Sequence, residues 1–398
     1  MAALPQLIVV SDDLTGAADV AGPFASRGLR TWVVAYVEGC AAQQLAHADV
    51  VSVNAETRQL SAGQARERVR ALVREQIHPD SEILIKKIDS TLRGHAVAET
   101  LAMLEASGRT IAVVAPAFPR QGRTLANGVV HVHGVPLKDT SFARDALSPP
   151  PLEPLHVLFG RADAHADVRL VGQGASMALT PGARRQIFVV DGASDDELRA
   201  TVGALRGHFR ELLLVGSAGI AEALAADRFH GTPGRAAPPL VTGPLLFVVG
   251  SRAQASVQQA SALVETGSAR IVSAPDGLVD VDAAVRACEP MLVLEATAVD
   301  GPSTADATEV AQRLSEGVVA LLARKPFAAL VATGGDTAVA ILRRLAQPAF
   351  QVMGNLLPGI PFGRIRAGAR EIWFVTKAGG FGARDAFVAI AQRLRGSV

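Results

Sequence analysis

The chain has 398 residues, 49% of them hydrophobic and 19% charged, which supplies a large core and enough length for two domains rather than one. Its 39 Lys plus Arg against 38 Asp plus Glu leave a formal charge of +1, so no global field recommends nucleic acid or an anionic membrane as a partner. Cys40 and Cys288 form no CxxC or CxxH pattern, the N-terminal MAALPQLIVV has no basic segment before its short apolar run, and no stretch reaches membrane-span length. A cytoplasmic protein without a disulfide framework or structural zinc is expected.

In chain order, short apolar runs alternate with amphipathic stretches. Strands are expected at Leu7 to Val10, Thr31 to Val37, Val50 to Val53, Ile83 to Ile88, Ile111 to Ala115, Gln186 to Val190 and Leu212 to Val215, with helices such as Ser61 to Gln76 and His95 to Ala106 between them. This is the βαβ rhythm of a mostly parallel sheet. Pro119 to Pro154 interrupts it as a loop, a short hairpin around VVHVHGVPL, and a second loop. The Pro- and Gly-rich stretch Asp227 to Pro244 reads as a linker. After it the rhythm restarts with Leu245 to Val249, Met291 to Leu294, Ala329 to Ala332 and Ile372 to Val375, each leading into a helix. The expected class is α/β with two domains, residues 1–230 and 244–398 joined by a linker at 231–243. Each is a mostly parallel sheet flanked by helices, with the active site in the interdomain cleft.

Two strand ends in the first half gather groups that a fold alone has no reason to collect. ILIKKIDSTLRG, from Ile83 to Gly94, runs from a buried-strand pattern into Lys86, Lys87, Asp89, Ser90, Thr91 and Arg93. LIVVSDDLTG, from Leu7 to Gly16, ends in Asp12 and Asp13 with Thr15 behind them. Ligands of open α/β sheets bind at the carboxyl ends of strands, so these turns point to an anionic, hydroxylated substrate. Helix capping accounts for Thr15 and Thr91, but less well for Lys87, Asp89 and Arg93.

The second half has strand-end loops of another kind: VVGSRAQAS (Val248 to Ser256), VATGGDTAVA (Val331 to Ala340) and VTKAGGFGARDAF (Val375 to Phe387). Each passes from a strand through glycine or a small hydroxyl residue to a helix start, a geometry that aims free N–H groups and a helix dipole at phosphate. Three together point to a polyphosphate ligand bound through Ser251, Gly334, Gly335, Asp336, Thr337, Gly379 and Gly380. The chain has no GxxxxGK[ST], no GxGxxG, no HExxH and no GxSxG. The Gly216 to Gly219 turn reads as packing, and His131 and His133 as the polar face of a hairpin.

SDDLTGAAD at Ser11 to Asp19, NAETR at Asn54 to Arg58, KIDSTLRG at Lys87 to Gly94 and APAFPRQGRTLANG at Ala115 to Gly128, followed by TGGDTA and TKAGGFG, resemble the four-carbon acid sugar kinase family. The likeness runs in order over nearly the whole chain and is strongest to the family's threonate kinases. It implies an N-terminal acid-binding domain, a C-terminal nucleotide domain, ATP as phosphoryl donor with Mg²⁺, and transfer to the terminal hydroxyl of a tetronic acid. Asp336 stands where many members carry Glu, and Gly380 where many carry Asn.

The residues can be read for that chemistry on their own terms. Arg58, Lys87 or Arg93 would grip a carboxylate, Asp12, Asp13, Asp89 and Ser90 would meet hydroxyls, and either Asp12 or Asp13 would take the acceptor's proton. No metal ligands are assigned. The expected partners are a small sugar acid and a second copy of the chain, without nucleic acid or membrane. Two rival classes share the same features: a nucleotide-dependent oxidoreductase of sugar acids, and a non-catalytic sugar-acid sensor.

Overall fold

Uninterrupted apolar runs become strands buried on both faces, the pattern that parallel sheets covered by helices require. The computed structural model describes the chain apart from residues 1–4, 41–44, 78–79, 146–147, 173, 181, 183, 230–239, 252, 289, 298–304 and 397–398. Most of the linker expected at 231–243 therefore lies outside the described residues. The chain divides into two units, Met1–Thr31 with Ala42–Gly234, and Trp32–Ala41 with Arg235–Val398.

In the first unit the elements are β1 (Leu7–Ser11), α1 (Leu14–Ala25), the start of β2 (Thr31–Val34), β3 (Val50–Asn54), α2 (Ala62–Gln76), β4 (Ile83–Lys87), α3 (Ala96–Ser107), β5 (Ile111–Ala115), the small strands β6 (Arg123–Ala126), β7 (Val129–Val132) and β8 (Val135–Pro136), α4 (Leu155–Ala162), β9 (Asp167–Val171), β10 (Gln186–Val190), α5 (Asp195–Ala204), β11 (Leu212–Gly216) and α6 (Ala218–Arg228). The main sheet runs β3-β1-β4-β11-β5-β10-β9 with every pairing parallel. Strand order reverses around β1, and Ser11 is in register with Asn54 on one side and Lys87 on the other. Three of the polar turns thus leave adjacent strand ends at a topological switch point.

Local chemistry sets the helix limits. Ser61 accepts from the Gln64 N–H while the Gln64 side chain accepts from the Ser61 N–H, a capping box that opens α2, and Gly108 closes α3 in the left-handed region at φ 72°. The hairpin expected around VVHVHGVPL is β7 and β8, and the stretch before it, expected as a loop, supplies β6, which pairs with β7 around Asn127 and Gly128, both at positive φ as a two-residue turn demands. His133 falls in the next such turn with Gly134, so it does not share a strand face with His131. Gly216 and Gly219 are packing positions: a Cβ on them would lie 2.3 Å from the Ala115 and Ala117 carbonyl oxygens.

In the second unit β12 (Leu245–Val249), α7 (Gln254–Glu265), β13 (Ala269–Pro275), α8 (Val281–Arg286), β14 (Met291–Thr297), α9 (Ala307–Arg324), β15 (Ala329–Thr333) and α10 (Gly335–Arg344) precede a meander of β16 (Ala349–Leu357), β17 (Ile360–Ala367) and β18 (Arg370–Lys377), closed by α11 (Ala386–Arg395). The sheet order β13-β14-β12-β15-β18 is parallel, and β17 and β16 extend it antiparallel. Leu245, Phe247 and Val249 pack with Leu263, Phe387, Ile390 and Leu394 from α7 and α11, the Phe247 and Phe387 rings 5.3 Å apart. The expected strand Thr31 to Val37 stops at Val34, because the Ala35 and Tyr36 amides both donate to Pro348 O, at 2.8 and 3.4 Å. Among the described residues no helix is long and apolar enough to cross a membrane.

Candidate active site

The β1 turn begins with a helix cap. Asp13 Oδ1 accepts from the Gly16 N–H at 2.9 Å, and the Thr15 hydroxyl donates to its other oxygen. Arg58, brought in from the β3 turn, donates through both terminal nitrogens to Asp13 at 2.9 and 3.0 Å and through Nε to Asp12 Oδ2 at 2.7 Å. Its Nη2 also lies 3.8 Å from Asp89 Oδ1. The guanidinium expected to be open for a carboxylate is therefore committed to three aspartates. Burial opposes its charge, but Asp12, Asp13 and Asp89 hold its pKa well above the ordinary value. Burial alone would raise Asp12; Arg58, Lys86 and Lys87 outweigh it and hold that carboxyl below the usual range. Asp12 Oδ1 is buried without a hydrogen-bond partner among the described residues.

Asp89 organises the β4 turn. It accepts from the Thr91 N–H at 3.0 Å, from the Thr91 hydroxyl, and from Arg93 Nε and Nη2 at 3.1 and 2.9 Å. Against the effect of burial, Arg93 and Arg58 keep its carboxyl well below the usual range. Ser90 is half-buried beside it. Lys87 differs from its neighbours. It is buried, its Nζ lies 3.1 Å from where a Gly16 Cβ would stand, and it makes no side-chain hydrogen bond or ion pair among the described residues. Lys86, one residue earlier on the opposite face of β4, is fully buried but satisfied: it pairs with Glu99 at 2.8 Å and donates to the Lys87 and Val10 carbonyls.

In the second unit Val249 is in register with Thr333, and Thr333 with Lys377, so the three glycine-bearing loops leave adjacent strand ends. A Cβ on Gly379 would lie 1.9 Å from Ser251 Oγ, one on Gly250 1.9 Å from Thr337 Oγ1, and one on Gly334 3.6 Å from Ser251 Cβ. Gly334 adopts φ 100° and opens α10 through Gly335, Asp336 and Thr337. Gly380 has nothing within 4 Å of a built Cβ. The expected nucleotide residues are brought together, and glycine is what lets the loops touch.

The family model for a sugar-binding N-terminal domain matches residues 7–224, and that for a nucleotide-binding C-terminal domain matches residues 246–387. A D-threonate kinase of Bordetella bronchiseptica is 34% identical, covering 98% of this chain and 98% of the relative. The chain belongs to the four-carbon acid sugar kinase family. A solved structure described as a domain of unknown function from Bordetella bronchiseptica, a domain-swapped dimer with bound citrate, is 33% identical with a TM-score of 0.50, covering 99% of both chains. One described as a putative tRNA synthase from Salmonella typhimurium LT2 shares the fold at 21% identity, with a TM-score of 0.74 over 97% of this chain and 98% of that one.

In this member of the four-carbon acid sugar kinase family the structure also brings forward residues that motif reading passed over. Asp19, half-buried on α1, is pushed up to about 7 by burial, against the pull of Lys87 and with Glu222, Asp13 and Asp89 adding to the rise. Its signal was a single carboxylate in the otherwise uncharged helix LTGAADVAGPFA. Arg123, from β6, is half-buried with its Nε unpartnered among the described residues; burial lowers its pKa while Asp89 opposes and Arg93 adds to the fall. Lys377 ends β18 fully buried, with its pKa lowered to about 7 by burial. The cue was a lysine closing an apolar strand, as at Lys87. Among the described residues no cluster of three or more His, Cys, Asp or Glu is placed to hold a metal ion.

Proposed function

We propose that the chain is an ATP-dependent kinase acting on the terminal C4 hydroxyl of a four-carbon sugar acid such as D-threonate or D-erythronate. The observation that carries the acid half of this reading is Lys87. In a turn where Arg58 and Arg93 are already neutralised by Asp12, Asp13 and Asp89, its buried ammonium feels Asp12, Asp19 and Asp89 only at a distance and makes no hydrogen bond or ion pair among the described residues. A carboxylate is the complementary group for a desolvated cation. The citrate in the Bordetella structure agrees with a polycarboxylate-tolerant site, and the dimer there supports a homodimer here.

The roles of the two adjacent aspartates separate on geometry. Asp13 spends both oxygens on Arg58, Gly16 and Thr15, and so holds the turn together. Asp12 keeps Oδ1 free, ionised and buried, and is the group that accepts from the acceptor hydroxyl. Phosphoryl transfer through a loose transition state needs orientation and charge compensation more than a strong base, so a low-pKa carboxylate suffices. The triphosphate is assigned to Ser251, Gly334, Gly335, Asp336, Thr337, Gly379 and Gly380, supported by their loops leaving the carboxyl ends of three adjacent strands. Mg²⁺ would be held chiefly by the phosphates, with one or two protein oxygens beside them. It would neutralise charge developing on the transferred group.

The test is ADP release with Mg²⁺ATP and a panel of tetronates, followed by ³¹P-coupled NMR of the product. Turnover with phosphate on C4 supports the reading. Acid binding without ADP release would leave a sensor, and nicotinamide reduction by the same acids an oxidoreductase.

A further inference from the structure

The loop after β18 is held by an unusual number of buried donors, all aimed at its carbonyls. Lys377 Nζ donates to Ala378 O at 2.8 Å, Gly379 O at 3.4 Å and Phe381 O at 2.8 Å. Ser256 Oγ, on α7, donates to Gly379 O at 2.7 Å. Gln259 Nε2, one turn further along α7, donates to Phe381 O, Gly382 O and Ala383 O at 2.9, 3.1 and 2.9 Å. Lys377, Ser256 and Gln259 are all fully buried. Five consecutive or near-consecutive carbonyls are thereby turned toward the core, although an ordinary surface loop would leave most of them to water.

A peptide unit whose carbonyl is turned inward presents its N–H the other way. The amides of Gly379 and Gly380 donate to nothing among the described residues. Successive free N–H groups on one side of a loop form an anion-binding concavity, and this one borders Ser251. We propose that Lys377, Gln259 and Ser256 are positioning residues: they hold residues 378–383 with carbonyls inward so that the loop's N–H groups are presented to the nucleotide's phosphates. None of the three need touch the ligand. The inference rests on the nucleotide assignment above and adds to it the device that shapes the loop.

Binding of ADP and of adenosine to the full chain, by calorimetry and competition, tests this. Ser256→Ala removes one hydrogen bond with almost no change in volume and should weaken ADP about 3- to 10-fold, as one net hydrogen bond implies. Gln259→Leu removes three and should weaken ADP more than tenfold. Adenosine affinity and the KM for the acid should stay within about twofold of wild type, and Ser256→Thr, which keeps the hydroxyl, should restore ADP binding. ADP affinity unchanged in folded Ser256→Ala and Gln259→Leu, or equal losses for ADP and adenosine, would overturn the proposal. Gly335→Val separates it from the assignment beneath it. If that variant binds ADP like wild type, or wild type does not bind ADP, the nucleotide site itself is misplaced and the proposal falls with it; if Gly335→Val abolishes binding while the positioning variants do not, only the proposal fails.

Discussion

Replacing Gly16 by alanine sets a helix-propensity gain against a crowded turn. In an exposed helix interior the exchange would stabilise by about 1 kcal/mol. At this position the added Cβ would lie 2.6 Å from Ser11 Oγ, 2.7 Å from Asp13 Oδ1 and 3.1 Å from Lys87 Nζ. The serine hydroxyl can rotate and the lysine tip can swing. Asp13 cannot move cheaply, because Arg58 holds it at 2.9 and 3.0 Å while it caps the Gly16 N–H. Displacing it forfeits a cap worth about 1 kcal/mol and overpacks the turn by about 1–3 kcal/mol. The balance is a loss of about 1–3 kcal/mol, which for a unit of this size lowers the Tm by about 2–12 °C. Calorimetry gives the stability, and the KM for D-threonate should rise as Asp13, Arg58 and Lys87 shift together. A Gly16→Ala protein with a raised Tm and an unchanged KM would refute this packing argument.

Lys87→Met should change the Tm little in the absence of acid, since relief of the buried charge offsets the lost attraction to Asp12, Asp19 and Asp89, while acid binding measured by calorimetry disappears; a lower Tm with acid affinity intact would make Lys87 structural. Gly379→Ala drives a Cβ into Ser251 and should weaken ATP about tenfold or more, whereas Gly380→Ala, with open space around it, should leave the Kd within about threefold, and equal effects of the two would place the phosphate elsewhere. Asp19 has a folded pKa raised to about 7 from 3.8, so the folded state binds its proton more tightly. The stability it contributes is present in full below 3.8 and is lost as pH rises through about 7. The Tm of wild type relative to Asp19→Asn should therefore fall between pH 4 and 8, and a flat difference would show that Asp19 ionises normally.

Helices α2 and α3 were legible to within a residue because their signals are local: a Ser61 and Gln64 capping box, and a terminating Gly108. The meander of β16 and β17 was not foreseen, although its burial alternates residue by residue from Phe350 to Leu356 and Pro358-Gly359 marks its turn. The missed β9 has exposed residues in place of an apolar run. In the site, residue types at strand ends pointed to the right turns, yet partnership was illegible. Arg58 pairs with Asp12 and Asp13 at separations of 46 and 45 residues, and Gln259 reaches a loop more than 120 residues away. Such pairs exist only once parallel strands are in register.

Lys86 and Lys87 show what register adds to composition. Both are buried on β4, and nothing in the pair KK tells them apart. Alternation along the strand sends them to opposite faces. Lys86 meets Glu99, itself raised by burial against the pull of Lys86, and two backbone carbonyls; its charge is compensated within the fold. Lys87 emerges among carboxylates already claimed by arginines. Burying a cation costs several kcal/mol unless partners return it, and Lys87 is compensated only at a distance, by Asp12, Asp19 and Asp89, with no hydrogen bond or ion pair to hold it among the described residues. Lys86 is thus the structural lysine and Lys87 the one free to meet an external anion, a division that Lys86→Met would expose as a large loss of Tm and Lys87→Met as a small change.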